Sequence, residues 1–319
     1  SLDPRDHFGT VLYTGTGSTQ SINGGKYDAA AGFNGSSSLA YSNSNALGSG
    51  NVAYTISAWI YLNASSHTGG IYTVWDGGTT AGTHLFFKVD SGSLSIGNYG
   101  AAVTSSNTLA VGQCVNVAVT RDTSNNVVLY VNGSSDTTGT LSLNLANNIG
   151  IVGALATTTQ NFNGSIDQIR IYNSALTSSE VGNLASESYA NSFKVNFPTG
   201  KTVKALYRLN GNGNDETGVY DLTTISNITW KYGVNFKPDL CWIKERSGTE
   251  RNVLIDSTRG VNRQATSDST SAETTHTNDF DSFDTGGFTL GSATETNGNT
   301  KTFVAWCWKA NGGTTSSNS

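Results

Sequence analysis

The sequence predicts an all-β protein, an antiparallel β-sandwich joined to a smaller β-rich domain. Three observations carry that expectation. Only 13% of the residues are charged and 36% hydrophobic, while 37 glycines and abundant Ser, Thr and Asn fill the rest. Ser, Thr and Asn compete for backbone hydrogen bonds and Gly loses the most backbone entropy in a helix, so short strands and tight turns are favoured. Apolar residues also alternate with polar ones along many runs, the period of a strand. Gly- and Asn-rich turns then separate those runs. At 319 residues the chain suits about two domains, each long enough to bury a core unaided.

Taken in order, the first strong strand is Val52–Leu62. Tyr54, Ile56, Ala58, Ile60 and Leu62 point one way; Thr55, Ser57, Trp59 and Tyr61 point the other. Ile71–Trp75, Leu85–Val89 and Ser93–Ile96 follow as shorter strands. Val115, Val117 and Val119 then face Val127, Leu129 and Val131 across Thr123–Asn126, the clearest hairpin in the chain. Ile166–Tyr172 alternates as a strand. Thr177 and Glu180 form a capping box ahead of Val181 and Leu184, the one helix this pattern predicts. Ser186–Thr202 reads as a polar connector broken by Pro198. Beyond Trp230, strands are expected at Leu240–Lys244, Val253–Asp256, Phe288–Leu290 and Phe303–Trp308, followed by a linker-like tail from Asn311. Trp230, Trp242, Trp306 and Trp308 are expected in the core of this small module.

Several function classes find no footing. The net charge of −5 is dispersed, and no basic stripe with interleaved aromatics suggests nucleic-acid binding. No apolar stretch approaches a membrane span, and the N-terminus lacks a signal-peptide pattern. The absence of Met anywhere suggests a trimmed chain. Cys114, Cys241 and Cys307 have no metal-ligand spacing; they are read as buried thiols, with a Cys241–Cys307 bridge as the alternative. His7, His67, His84 and His276 are scattered, with no Gly-x-Ser-x-Gly or His-Glu-x-x-His motif. Glycoside hydrolysis takes a pair of carboxyl groups flanking one bond. The alternating acids Asp279, Asp281 and Asp284 are instead read as solvated or turn-capping, so the chain is expected not to be an enzyme.

Two candidate sites remain. Trp59 and Tyr61 share the polar face of their strand, as a sugar-stacking platform requires. The loop Gly211–Gly218 offers Asn212, Asn214, Asp215 and Glu216 as hard oxygen donors for calcium, with Asp167 as a further ligand; Asx-turn chemistry accounts for the same loop residues without metal.

Four segments resemble the laminin-G-like, concanavalin A-type jelly-roll domain: Gly32–Tyr41, Tyr54–Leu62, Val115–Gly133 and Phe162–Val181. The resemblance covers roughly half the chain and implies two antiparallel sheets packed face to face. It also raises the case for calcium near a sheet edge. Gln113 and Cys114 stand where relatives often carry Trp-His, so family ligand positions do not transfer on that strand. The C-terminal segments FKPDLCWIK, LIDSTRG, SFDTGGFTLG and FVAWCWKANGG resemble a module of tailed-phage virion proteins. Phe8–Ile22 resembles that module's opening strand, and Ala205–Trp230 the opening of the jelly roll, so the two openings are exchanged. The expected layout is residues 1–22 joining the C-terminal module, 23–190 the jelly roll, 191–230 its connector and returning strand, 231–313 the small module and 314–319 a tail. Val11–Tyr13 and Ala205–Leu209 are then expected to pair back into their parent domains; donation of either strand to a neighbouring subunit is the alternative.

The resemblance implies a structural or adhesive protein of a phage particle (a fibre, spike, knob or capsid decoration). Its partners would be other virion proteins, copies of itself as a homotrimer, and host-surface glycans. The alternative is a carbohydrate-binding module of a bacterial extracellular adhesin, at the cell surface or secreted. A glycoside hydrolase ranks last.

Overall fold

The computed structural model describes residues 8–310 apart from 19, 24, 28, 37–38, 76, 147, 157–159, 235 and 285. His7 and the tail from Asn311 lie outside the described residues. The chain divides into two units, one formed by Ser1–Asp28 with Lys231–Ser319 and the other by Ala29–Trp230.

Strands β1 (Phe8–Thr14) and β2 (Gln20–Asn23) open the first unit. Short alternating runs then build the second: β3 (Ala29–Asn34), β4 (Leu39–Ser42), β5 (Tyr54–Leu62), β6 (Gly69–Trp75), β7 (Leu85–Asp90), β8 (Ser93–Gly97) and β9 (Ala102–Thr108). These are followed by β10 (Cys114–Arg121), β11 (Asn126–Val131), β12 (Ser134–Thr140), β13 (Ile149–Val152) and β14 (Asn163–Tyr172). Helix α1 (Ser178–Ala185), the helical turn α2 (Tyr189–Ser192), β15 (Ala205–Tyr207), β16 (Thr224–Ser226) and β17 (Thr229–Tyr232) complete that stretch. The chain returns to the first unit with β18 (Leu240–Glu245), β19 (Val253–Asp256), β20 (Arg263–Thr266), β21 (Thr274–Thr275), β22 (Ser282–Asp284), β23 (Gly287–Leu290), the helical turn α3 (Thr294–Asn297) and β24 (Thr302–Trp308).

The second unit is the antiparallel sandwich. One sheet has eight strands, in the order β12-β11-β10-β5-β14-β3-β17 with β15 also on β14; the other has seven, in the order β16-β4-β13-β6-β7-β8-β9. Alternation explains the core between them. Tyr54, Ile56, Ala58, Ile60 and Leu62 of β5 are buried there with Val115, Val117 and Val119 of β10, facing Leu85, Phe87, Leu94 and Ile96 from the opposite sheet. The hairpin register follows the alternation, with Val117 opposite Val131 and Val119 opposite Leu129. Arg121 is fully buried at this hairpin's end and donates to the Leu141 and Val52 carbonyls at 2.8 and 2.6 Å.

β14 carries two partners end to end on one side, β3 along Asn163–Ile166 and β15 along Ile169–Ile171. Its register against β5 shifts between Asp167 and Arg170, where Gln168 takes φ 51°. The returning segment pairs with the sandwich as Tyr207–Ile169 and Ala205–Ile171. The capping box at α1 is formed reciprocally: Thr177 Oγ1 accepts from Glu180 N, and Thr177 N donates to Glu180 Oε2 at 2.8 Å. Contrary to the single helix read from the pattern, α2 and α3 add two four-residue helical turns.

In the first unit β1 runs antiparallel to β24, Val11 opposite Ala305, within a six-stranded sheet β1-β24-β18-β19-β20-β21. A three-stranded sheet β2-β23-β22 accompanies it. Val11, Cys241, Ile243, Val253, Phe280, Phe288 and Phe303 form its core.

The tryptophans require a correction. Trp230 packs against the sandwich core, not the small module. Trp242, Trp306 and Trp308 alternate with the buried Cys241, Ala305 and Cys307, so they occupy the other face of the sheet and are only half-buried. Cys241 and Cys307 are directly opposed free thiols, their sulfurs 3.7 Å apart, and Cys114 is half-buried on β10.

Candidate functional site

The outer face of the eight-stranded sheet holds Trp59, Tyr61 and Asp167, and for much of its area it is closed by the protein's own chain. Leu176, Val181 and Leu184 from the α1 region and Val203 from the connector pack against Ala118, Tyr130, Tyr172 and Leu206 of the sheet, with Val195 and Phe197 partly buried beside them. The connector that reads as polar thus supplies an apolar underside. Arg170 pins it. This fully buried side chain donates to Glu187 Oε2 at 2.8 Å and to the Lys194, Asn191 and Ser192 carbonyls at 2.8, 2.8 and 3.0 Å. Tyr172 adds a hydrogen bond to the Phe197 carbonyl at 2.5 Å.

The sugar-platform expectation meets this geometry unevenly. Trp59 is 7% exposed, paired across β5 with Asn116 and Asp167, which are also buried. Its ring therefore serves packing. Tyr61 is half-buried between Cys114 and Ser165.

In the Gly211–Gly218 loop, Asp215 turns inward and is buried. One carboxylate oxygen accepts from Leu206 N at 2.8 Å and Thr217 N at 3.1 Å; the other accepts from Thr217 Oγ1, Val219 N at 3.3 Å and Tyr220 N at 3.1 Å. Protein donors thus employ both oxygens, and the loop is a turn cap built on one carboxylate. Asn212 Oδ1 likewise accepts from Asn214 N at 3.0 Å. Asn214 and Glu216 are exposed. Asp167, Asp215 and Glu216 do not gather as a metal-ligand group; among the described residues the group of three such ligand atoms within 4.8 Å lies elsewhere, at His276, Asp279 and Glu295.

The outer face of the seven-stranded sheet is differently finished. A row Tyr41–Ile151–Thr73–Phe86–Gly97 crosses it. The chain after β13 lies over its middle, where Thr73 Oγ1 donates to the Ala154 carbonyl at 2.9 Å. Toward β8 and β9 lies an aromatic group that sequence reading missed. Tyr99, in the turn between those strands, is 48% exposed. Phe86 and His84 both meet its ring at 5.0 Å, at 86° and 81°, and stack on each other at 6.1 Å. His84 Nδ1 lies 3.0 Å from both Thr83 Oγ1 and the Thr80 carbonyl, so the loop before β7 fixes the imidazole. That loop also touches the Tyr99 turn, since a Cβ on Gly100 would lie 3.1 Å from Ala81 Cβ. Asn98 Oδ1 holds the turn by accepting from Gly100 N and Ala101 N at 2.6 and 3.0 Å. Alternation at His84 and Phe86 was visible in the sequence; their meeting with a turn residue was not.

Residues 33–182 match the family described as the concanavalin A-like lectin/glucanases superfamily. The sandwich is similar to a concanavalin A-like domain over those residues. Residues 216–319 match a domain of unknown function, DUF7483. No curated protein matches the chain. Among solved structures, a candidate carbohydrate-binding protein from Bacteroides ovatus shares 18% identity over 67% of this chain and 60% of its own, at a TM-score of 0.49. The chain thus spans less than two thirds of that relative. Domain 4 of AbnA, a GH43 extracellular arabinanase from Geobacillus stearothermophilus in complex with arabinotriose, shares 24% identity over 55% of this chain and 87% of its own, at 0.41. A heptameric SAP-like pentraxin from Limulus polyphemus shares 14% over 73% and 97%, at 0.36. Likenesses of this degree carry neither ligand nor activity to the sandwich of this chain.

Proposed function

We infer that this protein binds glycans through the Tyr99 end of its sandwich and does not cleave them. The carrying observation is that Tyr99 presents an exposed ring fixed from beneath by Phe86 and His84. The apolar C–H face of a sugar stacks on such a ring, and a ring already immobilised loses little entropy on binding. Exposed Thr79 and Thr80 of the adjoining loop offer hydroxyls for orientation. Hydrolysis needs two carboxyl groups on either side of the bond. Among the described residues named at this end, Thr79, Thr80, His84, Phe86, Asn98 and Tyr99, none is acidic.

The test is a glycan array probed with the full chain and with Tyr99→Ala. The expected result is selective binding that falls about 10-fold or more in the variant, equivalent to about 1.4 kcal/mol, with an unchanged melting temperature. An array with no signal, or equal binding by the variant, would contradict the inference.

The role fits a carbohydrate-binding module of a bacterial extracellular adhesin. A place on a phage particle rests on the resemblance of the C-terminal segments alone, and mass spectrometry of purified particles separates the two. No helix among the described residues is long and apolar enough to cross a membrane.

A further inference from the structure

Side chains from two separate segments converge in the first unit. His276 follows β21, Asp279 lies three residues on, and Glu295 sits in α3. Their ligand atoms all lie within 4.8 Å of one another, with His276 Nδ1 3.1 Å from Asp279 Oδ2. The backbone holds them there. Thr296 Oγ1 donates to the Asp279 carbonyl at 2.9 Å, Ala293 N donates to the Asn278 carbonyl at 3.0 Å, and His276 N donates to the Asn262 carbonyl at 3.0 Å. Glu295 therefore stands between two hydrogen bonds that tie α3 to the Asn278–Asp279 segment.

The arrangement is electrostatically costly as it stands. The Asp279 side chain is 3% exposed and its Oδ2 accepts no hydrogen bond of adequate geometry. Burial pushes its carboxyl up, His276 pulls it back, and Glu295 pushes it up further. A separate observation comes from β20. Gln264 is 3% exposed, its amide nitrogen donates to Glu295 Oε2 at 3.3 Å, and its amide oxygen has no hydrogen-bond partner. A buried polar atom without a partner costs about 1–3 kcal/mol. Here an orphaned carbonyl oxygen sits on an amide that already touches the cluster.

We propose that His276, Asp279 and Glu295 bind a divalent transition-metal ion, with the Gln264 amide oxygen as a fourth donor. One imidazole, two carboxylates and an amide oxygen suit Zn²⁺ or a similar ion better than Ca²⁺, which takes oxygen ligands alone, or Cu⁺, which prefers sulfur. Bonds of about 2.0–2.2 Å hold ligand atoms roughly 3–4 Å apart, so modest rotation of the half-exposed His276, with a flip of the Gln264 amide that now turns its nitrogen to Glu295, closes the set. The ion would neutralise the two facing carboxylates and clip the segment before β22 to α3 and β20.

The experiment uses the full chain stripped with a chelator and titrated with ZnCl₂ by calorimetry, then with CoCl₂ for its absorption spectrum. One equivalent of Zn²⁺ is expected to bind and to raise the melting temperature of the C-terminal module. The cobalt bands are expected to lack the sulfur charge-transfer feature that Cys241 and Cys307 would produce. His276→Ala and Glu295→Gln should each weaken binding about 100-fold or more. Asp284→Asn, outside the cluster, should leave it unchanged. Asp279→Asn should abolish the Zn²⁺ response without lowering stability in the stripped protein. No binding, binding retained in His276→Ala, a sulfur band, or an Asp279→Asn loss of stability equal with and without Zn²⁺ would each overturn the proposal. The last result would mark the cluster as an ion pair only.

Discussion

Trp59 points outward from the eight-stranded sheet and is 7% exposed; Tyr99 rises at the end of the seven-stranded sheet and is 48% exposed. Both are aromatic residues away from the central core of the same sandwich. The two faces also differ in what the chain does afterwards. Behind β14 it forms α1 and a connector whose Val195, Phe197 and Val203 turn inward, and Arg170 fastens that layer through Glu187 and three carbonyls. Beside β8 and β9, Phe86 and His84 support Tyr99 and its ring stays half exposed. Alternation thus puts an aromatic on an outer face, and segments elsewhere in the chain decide how much of that face stays open.

That contrast can be broken in several places. The largest effect is expected at Arg170. Replacing it with Met removes the guanidinium that pairs with the buried Glu187 and should cost about 3–5 kcal/mol in urea unfolding, while Arg170→Met with Glu187→Leu should regain most of it. A loss below about 1 kcal/mol would mean the connector is not fastened to the sheet. Trp59→Ala should cost a similar amount, about 3–5 kcal/mol, through the cavity it leaves. Tyr99→Ala should stay within about 0.5 kcal/mol of the parent. Equal stability for the two variants would erase the distinction between the faces. Asp215→Ala orphans the amides of Leu206, Thr217, Val219 and Tyr220, and a loss of about 1–3 kcal/mol is expected whether or not calcium is added.

The smallest effect concerns pH. Burial pulls the His67 imidazole below its ordinary value, and its Nε2 accepts from Asn163 N at 3.0 Å, which requires the neutral ring. The unfolded chain then binds the proton more readily, so this contribution is complete above the ordinary histidine value and shrinks as pH falls through it. Denaturation midpoints measured across pH 5–8 should show that decline, and His67→Gln should flatten it; an unchanged slope in the variant would assign the decline to other groups.

Much of the architecture could be read from alternation, because burial between two sheets imposes a period of two. The Val115–Val131 hairpin and the Thr177–Glu180 capping box are local, and local rules sufficed. What alternation leaves undetermined is which of two faces is core. Trp306 and Trp308 alternate with Phe303, Ala305 and Cys307, and the tryptophans, expected in the core, take the outer face while the cysteine takes the inner one. Asp279 shows the other limit. In NDFDSFDTGG it looks like a turn acid, but tertiary hydrogen bonds to α3 bury it beside His276 and Glu295. No spacing motif records a cluster drawn from separate elements. Asp284 did behave as a turn acid, accepting from Ser282 and Thr289 hydroxyls at 2.7 and 2.6 Å.

Hydroxyl-radical footprinting, read residue by residue with and without the strongest glycan from the array, tests the contrast between the faces most directly. Tyr99 should oxidise readily in the free protein and be protected by the glycan, while Trp59 stays unreactive in both states. Rapid oxidation of Trp59 that the glycan suppresses, with Tyr99 indifferent, would show that the closed face is the working one.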